Sequence, residues 1–360
     1  MDIRKISLAD LDERLTEIDF NEDDRNIVRK AVYIDRVPAF NEIQELTPAQ
    51  KSILSDIFSL QYNPADSLLK SGDGSYRLTL ELSDSARAET VIIPEWENGL
   101  LKKCAISISS QIGCFFGCSF CATGQLGFHR NLTTGELLDQ FHVANEVVSN
   151  ELNTVPTHLY FMGMGEPLHN YRALSDALSI MKDPDFEGLP PSAITISTVG
   201  LYRQIQMLTR DHPEVRLAVS IHSADQKIRE RIMPVSARLG LKHIREALRA
   251  YNRATGHPVT IQYLLLRGIN DSTEQAETLI SYLRGIHSEI TLIMYNEIES
   301  SNNSRPNLEV LNQFKDILIQ AGLKVDVRWC YGEDIQSGCG QLQPPVFNDR
   351  VHFSMRHPSP

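Results

Sequence analysis

The sequence predicts an α/β fold, an open partial barrel of six parallel strands with crossover helices, preceded by a small helical module and a strand-and-hairpin connector. Three observations carry this reading. Short apolar runs alternate with helical stretches over the last two thirds of the chain, and there are six of them, fewer than the eight of a closed barrel. A third observation is that four of the runs end in polar or glycine-rich residues, where such folds gather ligands.

Residues 1–60 form the helical module. Ile27-Val28 recur with Ala31-Val32, and Ile53-Leu54 with Ile57-Phe58, at helical spacing. Residues 61–104 are the connector: Tyr76-Arg77-Leu78-Thr79-Leu80 and Thr90-Val91-Ile92-Ile93 alternate or are β-branched, with breaks at Pro94 and Asn98-Gly99. The core spans 105–343, with strands expected at 106–110, 158–162, 193–196, 216–220, 260–265 and 290–293. Thr133-Thr134-Gly135-Glu136 reads as a capping box that opens a helix. The tail 344–360, rich in Pro and His, is expected to be loose.

At 360 residues, 42% hydrophobic and 22% charged, the chain has material for one large domain and a smaller one. Its first residues are charged and amphipathic, and no run is long enough to span a bilayer, so a cytoplasmic protein with no membrane partner is expected. Six cysteines fit a reducing compartment better than a disulfide scaffold. A net charge of −11 argues mildly against a dedicated nucleic-acid binder, although charge can be local. Lys242, Arg245, Arg249 and Arg253 form a basic helical stripe that reads either as a solvated face or as a phosphate contact, and Lys102 with Lys103 is a similar case.

The chemistry is concentrated in Cys114, Cys118 and Cys121. Their x3 then x2 spacing brings three thiolates from one loop, which suits a four-iron four-sulfur cluster with one iron left without a protein ligand. Zinc is the competing reading, but structural zinc wants four closed ligands, and Cys104, Cys330 and Cys339 supply no second pair. Downstream, Gly163-Met164-Gly165-Glu166-Pro167 closes the second strand, Ser197-Thr198 the third, Ser220-Ile221-His222 the fourth and Tyr295-Asn296 the sixth. Alone, each reads as a turn. Together, below an open iron, they read as a binding site.

The cysteine loop, the Gly-Glu-Pro turn, the Ser-x-His strand end and the segment Arg328 to Leu342, with Gly338-Cys339-Gly340-Gln341-Leu342, resemble the radical S-adenosylmethionine RNA adenine methyltransferases of the RlmN and Cfr type. The resemblance covers roughly residues 75–343. It implies a radical-SAM barrel binding a 4Fe-4S cluster on Cys114, Cys118 and Cys121, with S-adenosylmethionine held by Gly165, Glu166, Ser197, Ser220, Ile221, His222 and Asn296. It also implies methylation of an adenine ring carbon, C2 in preference to C8, in rRNA or tRNA. In the family a cysteine is first methylated, a radical removes hydrogen from that methyl group, and the resulting carbon radical adds to the ring. Cys339 matches the methyl carrier, although an ordinary tight turn would look the same, and Glu89 matches a proton acceptor. The implied partners are the RNA and an electron donor such as flavodoxin or ferredoxin.

One position departs from the family. A resolving cysteine is expected seven residues before Cys114, and Ser107 stands there. Cys104, three residues upstream, is expected to take the role and form the transient disulfide with Cys339; because three strand residues span about 10 Å and end on the opposite face, this requires a bulge. The alternatives are a radical enzyme acting on a non-RNA substrate, which would not need Cys339, and a noncatalytic RNA-binding relative.

Overall fold

The computed structural model of the chain describes residues 1–186 and 189–343; the tail expected to be loose lies outside them. Three helices open the chain: α1 (Leu8–Glu17), α2 (Glu22–Tyr33) and α3 (Pro48–Ile57). Ser7, Asn21 and Thr47 cap them, each accepting a main-chain N–H three residues on, with full capping boxes at α2 and α3. Leu11, Leu15, Val28, Val32 and Leu54 are wholly buried in the main core.

A buried ion pair joins this module to the barrel. Arg4 Nη1 and Nη2 donate to Asp139 at 2.9 and 2.6 Å, and both side chains are almost fully excluded from water. The Asn63 side chain also donates to Asp139. Among the described residues Arg4→Ala leaves this carboxylate only Arg36, 3.7 Å away, as a cationic partner, so we expect a loss of about 3 kcal/mol in unfolding free energy, measured by chemical denaturation.

β1 (Ala65–Lys70), β2 (Tyr76–Glu81), β3 (Arg87–Glu97) and β4 (Leu100–Ile108) pair antiparallel in sequence order. Asn98 and Gly99, with φ of 51° and 77°, make the tight β3–β4 turn that Asn-Gly favours. Pro94 does not break β3 as expected. Pairing with β2 ends at Ile92, so Pro94 has an open edge on that side, and no ladder bond needs its missing N–H.

β5 (Gln111–Gly113) and β6 (Phe128–Asn131) form a small separate ribbon around the cysteine loop and the short α4 (Ala122–Gln125). The wound core follows as α5 (Thr134–Leu152), β7 (His158–Phe161), α6 (Tyr171–Met181), β8 (Ile194–Thr198), α7 (Tyr202–Asp211) and β9 (Arg216–Ser220). It continues through α8 (Gln226–Ile232), α9 (Leu241–Thr255), β10 (Val259–Leu265), α10 (Thr273–Leu283), β11 (Ser288–Met294), α11 (Leu308–Gln320) and β12 (Lys324–Arg328). Thr133 caps α5 with the expected capping box.

All but β5 and β6 lie in one ten-stranded sheet, ordered β1-β2-β3-β4-β7-β8-β9-β10-β11-β12. From β4 to β12 it is parallel, giving seven strands where the sequence predicts six. The seventh, β12, is an edge strand whose Lys-Val-Asp-Val-Arg sequence leaves no apolar run to read. The sheet curls: Arg328 on β12 lies 5.8 Å from the ring centre of Tyr160 on β7, although four strands separate them. That contact defines a lumen, and strand alternation divides residues between it and the helix-covered core.

Candidate active site

One cavity in the lumen brings together most of the residues singled out from the sequence. Cys114, Cys118, Cys121, Gly165, Glu166, Ser197, Ser220, His222, Asn296 and Cys339 all line it. The strand ends supply the walls, and the cysteine loop and the Gly338–Leu342 segment meet above them. The Ala122 N–H donates to Gly340 O at 2.7 Å, and Thr123 Oγ1 donates to Leu342 O at 2.5 Å.

Gly165 must be glycine. Its φ is 92°, and a Cβ would sit 2.5 Å from the Gln111 side chain. This tight turn leaves Glu166 buried, its Oε1 accepting from Leu168 N–H at 3.1 Å and its Oε2 from Val199 N–H at 2.8 Å. Burial pushes its pKa up to about 7. Ser197 and Ser220 both donate to Gln262 Oε1, at 2.8 and 3.1 Å. His222 has a φ of 54°, and its Nδ1 accepts the Leu264 N–H at 3.0 Å. Burial lowers its pKa to about 3, so the ring is neutral. Ile221 turns its side chain into the apolar core, away from the cavity, and offers only main chain. Asn296 Nδ2 donates to Cys339 O at 3.2 Å, while its buried Oδ1 has no hydrogen-bond partner among the described residues.

The Cys339 thiol opens to the cavity, yet enough protein surrounds it that desolvation pushes its pKa up to about 11, with the Arg328 charge opposing. Its glycine neighbours are explained by packing as well as by freedom. A Cβ on Gly338 would fall 2.4 Å from Asn296 Nδ2, and Gly340 has a φ of 82° with Phe120 O 2.8 Å from where a Cβ would be.

The donor set fits an iron–sulfur cluster. Burial raises the thiol pKa of Cys114 to about 12 and raises those of Cys118 and Cys121 also, so the thiolates depend on a metal charge beside them. Main-chain N–H groups of Thr123 and Gly124 are directed at the Cys121 sulfur, as they are around cluster thiolates. Three thiolates from one loop suit a cluster that leaves one iron open, whereas structural zinc wants four closed ligands. The unpartnered Asn296 Oδ1, the two serines and the Glu166 turn fit an amino-acid and nucleoside ligand beside the cluster loop.

Cys104 corrects an expectation. The β3–β4 register runs without interruption from Pro94↔Cys104 to Val91↔Ser107, so the bulge that would turn Cys104 toward Cys339 is absent. Cys104 is wholly buried in the apolar core with Ile106 and Ile108, whereas Ser107 lines the cavity. Cys330 lies off the cavity with Arg305 Nη2 3.2 Å from its sulfur. All six cysteines are free, and the expected Cys104–Cys339 disulfide has no geometric basis.

Glu89 faces the lumen side of β3, in phase with Val91 and Ile93 of the cavity wall. It is wholly buried, 3.7 Å from Arg77 Nε, and neither carboxylate oxygen makes a well-formed hydrogen bond. Burial pushes its pKa up to about 7, offset only in part by Arg77 and the Gln343 main chain. In the fold this carboxyl keeps its proton where the unfolded chain, near 4.5, has lost it. Its contribution to stability therefore falls as pH rises from about 4.5 to about 7. Glu89→Gln should remove that decline and gain up to about 3 kcal/mol on wild type between pH 5 and pH 8, read from denaturation midpoints.

The sequence reading missed Gln262, Tyr160, Arg328, Trp329 and Tyr331, which also line the cavity. Of the basic stripe, Arg245 and Arg249 donate to Arg284 O at 2.9 and 2.8 Å, a structural use. Lys103 pairs with Glu95 at 2.7 Å and Lys102 with Glu97 at 3.1 Å.

The Radical SAM superfamily model matches residues 108–280. A radical SAM methyltransferase structure from Sphaerobacter thermophilus superposes with a TM-score of 0.82 at 31% identity, covering 95% of this chain and 98% of that one. Fold and site thus define a radical S-adenosylmethionine enzyme of the methyltransferase class. A probable dual-specificity RNA methyltransferase RlmN from Salinibacter ruber is 41% identical over 76% of this chain and 75% of its own length. Its counterpart from Chlorobaculum tepidum is 34% identical over 95% and 92%. The chain belongs to the RlmN family of RNA methyltransferases. No helix among the described residues is long and apolar enough to cross a membrane.

Proposed function

We propose that the protein methylates an adenine ring carbon of RNA, C2 in preference to C8, by way of a methyl group carried on Cys339. The observation that carries this reading is that Cys339 shares one cavity with the three loop cysteines and with the Glu166, Ser197, Ser220, His222 and Asn296 cradle. Cys114, Cys118 and Cys121 would hold the cluster and the cradle S-adenosylmethionine. Bound there, these groups would supply the methyl group and, with an electron from a flavodoxin- or ferredoxin-like donor, the radical that abstracts hydrogen.

The Cys339 thiol must lose its proton to accept the methyl group; the Arg328 charge lowers the cost that burial imposes. Hydrogen abstraction from the S-methyl group leaves a carbon radical for addition to the adenine ring. Restoring the ring after addition sheds one electron, which a cluster bound on Cys114, Cys118 and Cys121 would take back, and one proton, for which Glu89, poised near neutral pH, would be the acceptor.

Freeing the product from sulfur requires a second thiol, and the cavity wall carries Ser107 instead. This favours a second reading for wild type, in which the RNA remains attached unless a small external thiol releases it. Without added thiol, wild type should accumulate a covalent RNA–protein species on denaturing gels, and Ser107→Cys should release methyladenosine. Mass spectrometry of nuclease-digested RNA tests the main reading; no methylated adenosine, free or attached, would end it.

A further inference from the structure

We infer that Tyr160, Arg328, Trp329 and Tyr331 form a subsite for an unpaired RNA base and its phosphate, beside the target adenine. The inference rests on the RNA reading above and goes beyond it by naming the residues that grip the substrate. All four line the cavity that Cys339 opens into, and no cluster or cofactor role has been assigned to any of them.

Each observation points to the same ligand. Arg328 has no ion pair with a carboxylate among the described residues; its guanidinium sits over the Tyr160 ring at 5.8 Å, with Nη1 3.6 Å from the Met162 sulfur. A cation left unpaired inside a cavity is prepared for an anionic ligand, and a guanidinium matches phosphate. Trp329 follows directly and is 53% exposed, a large apolar surface that gains by being covered. Tyr331 is partly buried, and burial raises its pKa beside Glu95, Lys103 and Arg328. Lys103 reaches the Tyr160 ring as well, at 5.5 Å, while paired with Glu95.

Aromatic faces interleaved with a free guanidinium are how proteins hold unstacked bases and the adjoining backbone. On a chain of net charge −11 this local cation stands against the general field. The bases of a double helix are paired and stacked, so the occupant is a single-stranded loop.

The test is fluorescence anisotropy of a fluorescein-labelled RNA stem-loop with adenines in its loop, titrated anaerobically with the reconstituted full chain. Trp329→Ala should weaken binding roughly tenfold or more at unchanged salt slope, and Trp329→Phe should restore most of it. Arg328→Gln should weaken binding and reduce the salt slope by about one. Iron content and thermal midpoint report that each variant is folded. Wild-type binding with unaltered affinity and slope in these variants overturns the subsite alone. Failure of wild type to bind the RNA overturns the RNA reading, and the subsite with it.

Discussion

Cys339→Ala is expected to lower methyl transfer to RNA by at least about a thousandfold, because no remaining group can carry the methyl carbon through radical formation. Cys339 is not one of the three loop cysteines, and its main-chain bond from Asn296 does not depend on its sulfur. The variant should therefore keep its iron and its brown absorbance while producing neither methyladenosine nor RNA–protein adduct. A Cys339→Ala protein that still methylates RNA would remove the cysteine from the chemistry. Radical enzymes of another class have no such requirement, so the variant also separates this reading from the non-RNA alternative.

Cys118→Ser should abolish cluster loading. Cys118 is enclosed between the loop and the apolar residues Ile232, Met233 and Leu264, and its thiol pKa is raised well above normal by burial. A serine hydroxyl there is a far weaker soft-metal ligand than a thiolate. Iron content after anaerobic reconstitution should drop to background, and with it reductive cleavage of S-adenosylmethionine. Retention of wild-type iron would show that the loop is not the cluster site.

The parts of the site that the sequence announced are those written in fixed spacing: the three-cysteine loop, the Gly-Glu turn and the glycine-flanked Cys339. Spacing within one loop survives folding unchanged. Gln262 was not legible, because a glutamine in the middle of an otherwise apolar strand has no motif, and its role depends on Ser197 and Ser220 arriving from two other strands. Arg328 and Tyr160 meet only because the sheet curls, which no local pattern encodes. Cys104 misled for a physical reason: proximity in sequence to Ser107 suggested a replacement, but strand alternation puts an odd offset on opposite faces unless a bulge intervenes, and the β3–β4 register has its irregularity at Glu95/Trp96, short of that interval. β12 was missed because its half-exposed residues carry too little apolar signal, while Asn98-Gly99 was legible because its turn chemistry is local.

The central claim is that a methyl group reaches RNA only after residing on Cys339 and losing one hydrogen there. Supplying S-adenosylmethionine with a trideuterated methyl group and weighing the transferred carbon by mass spectrometry, in released RNA or in the adduct, tests it directly. The account predicts that no more than two of the three deuterons arrive; transfer of the methyl group with all three intact would contradict it.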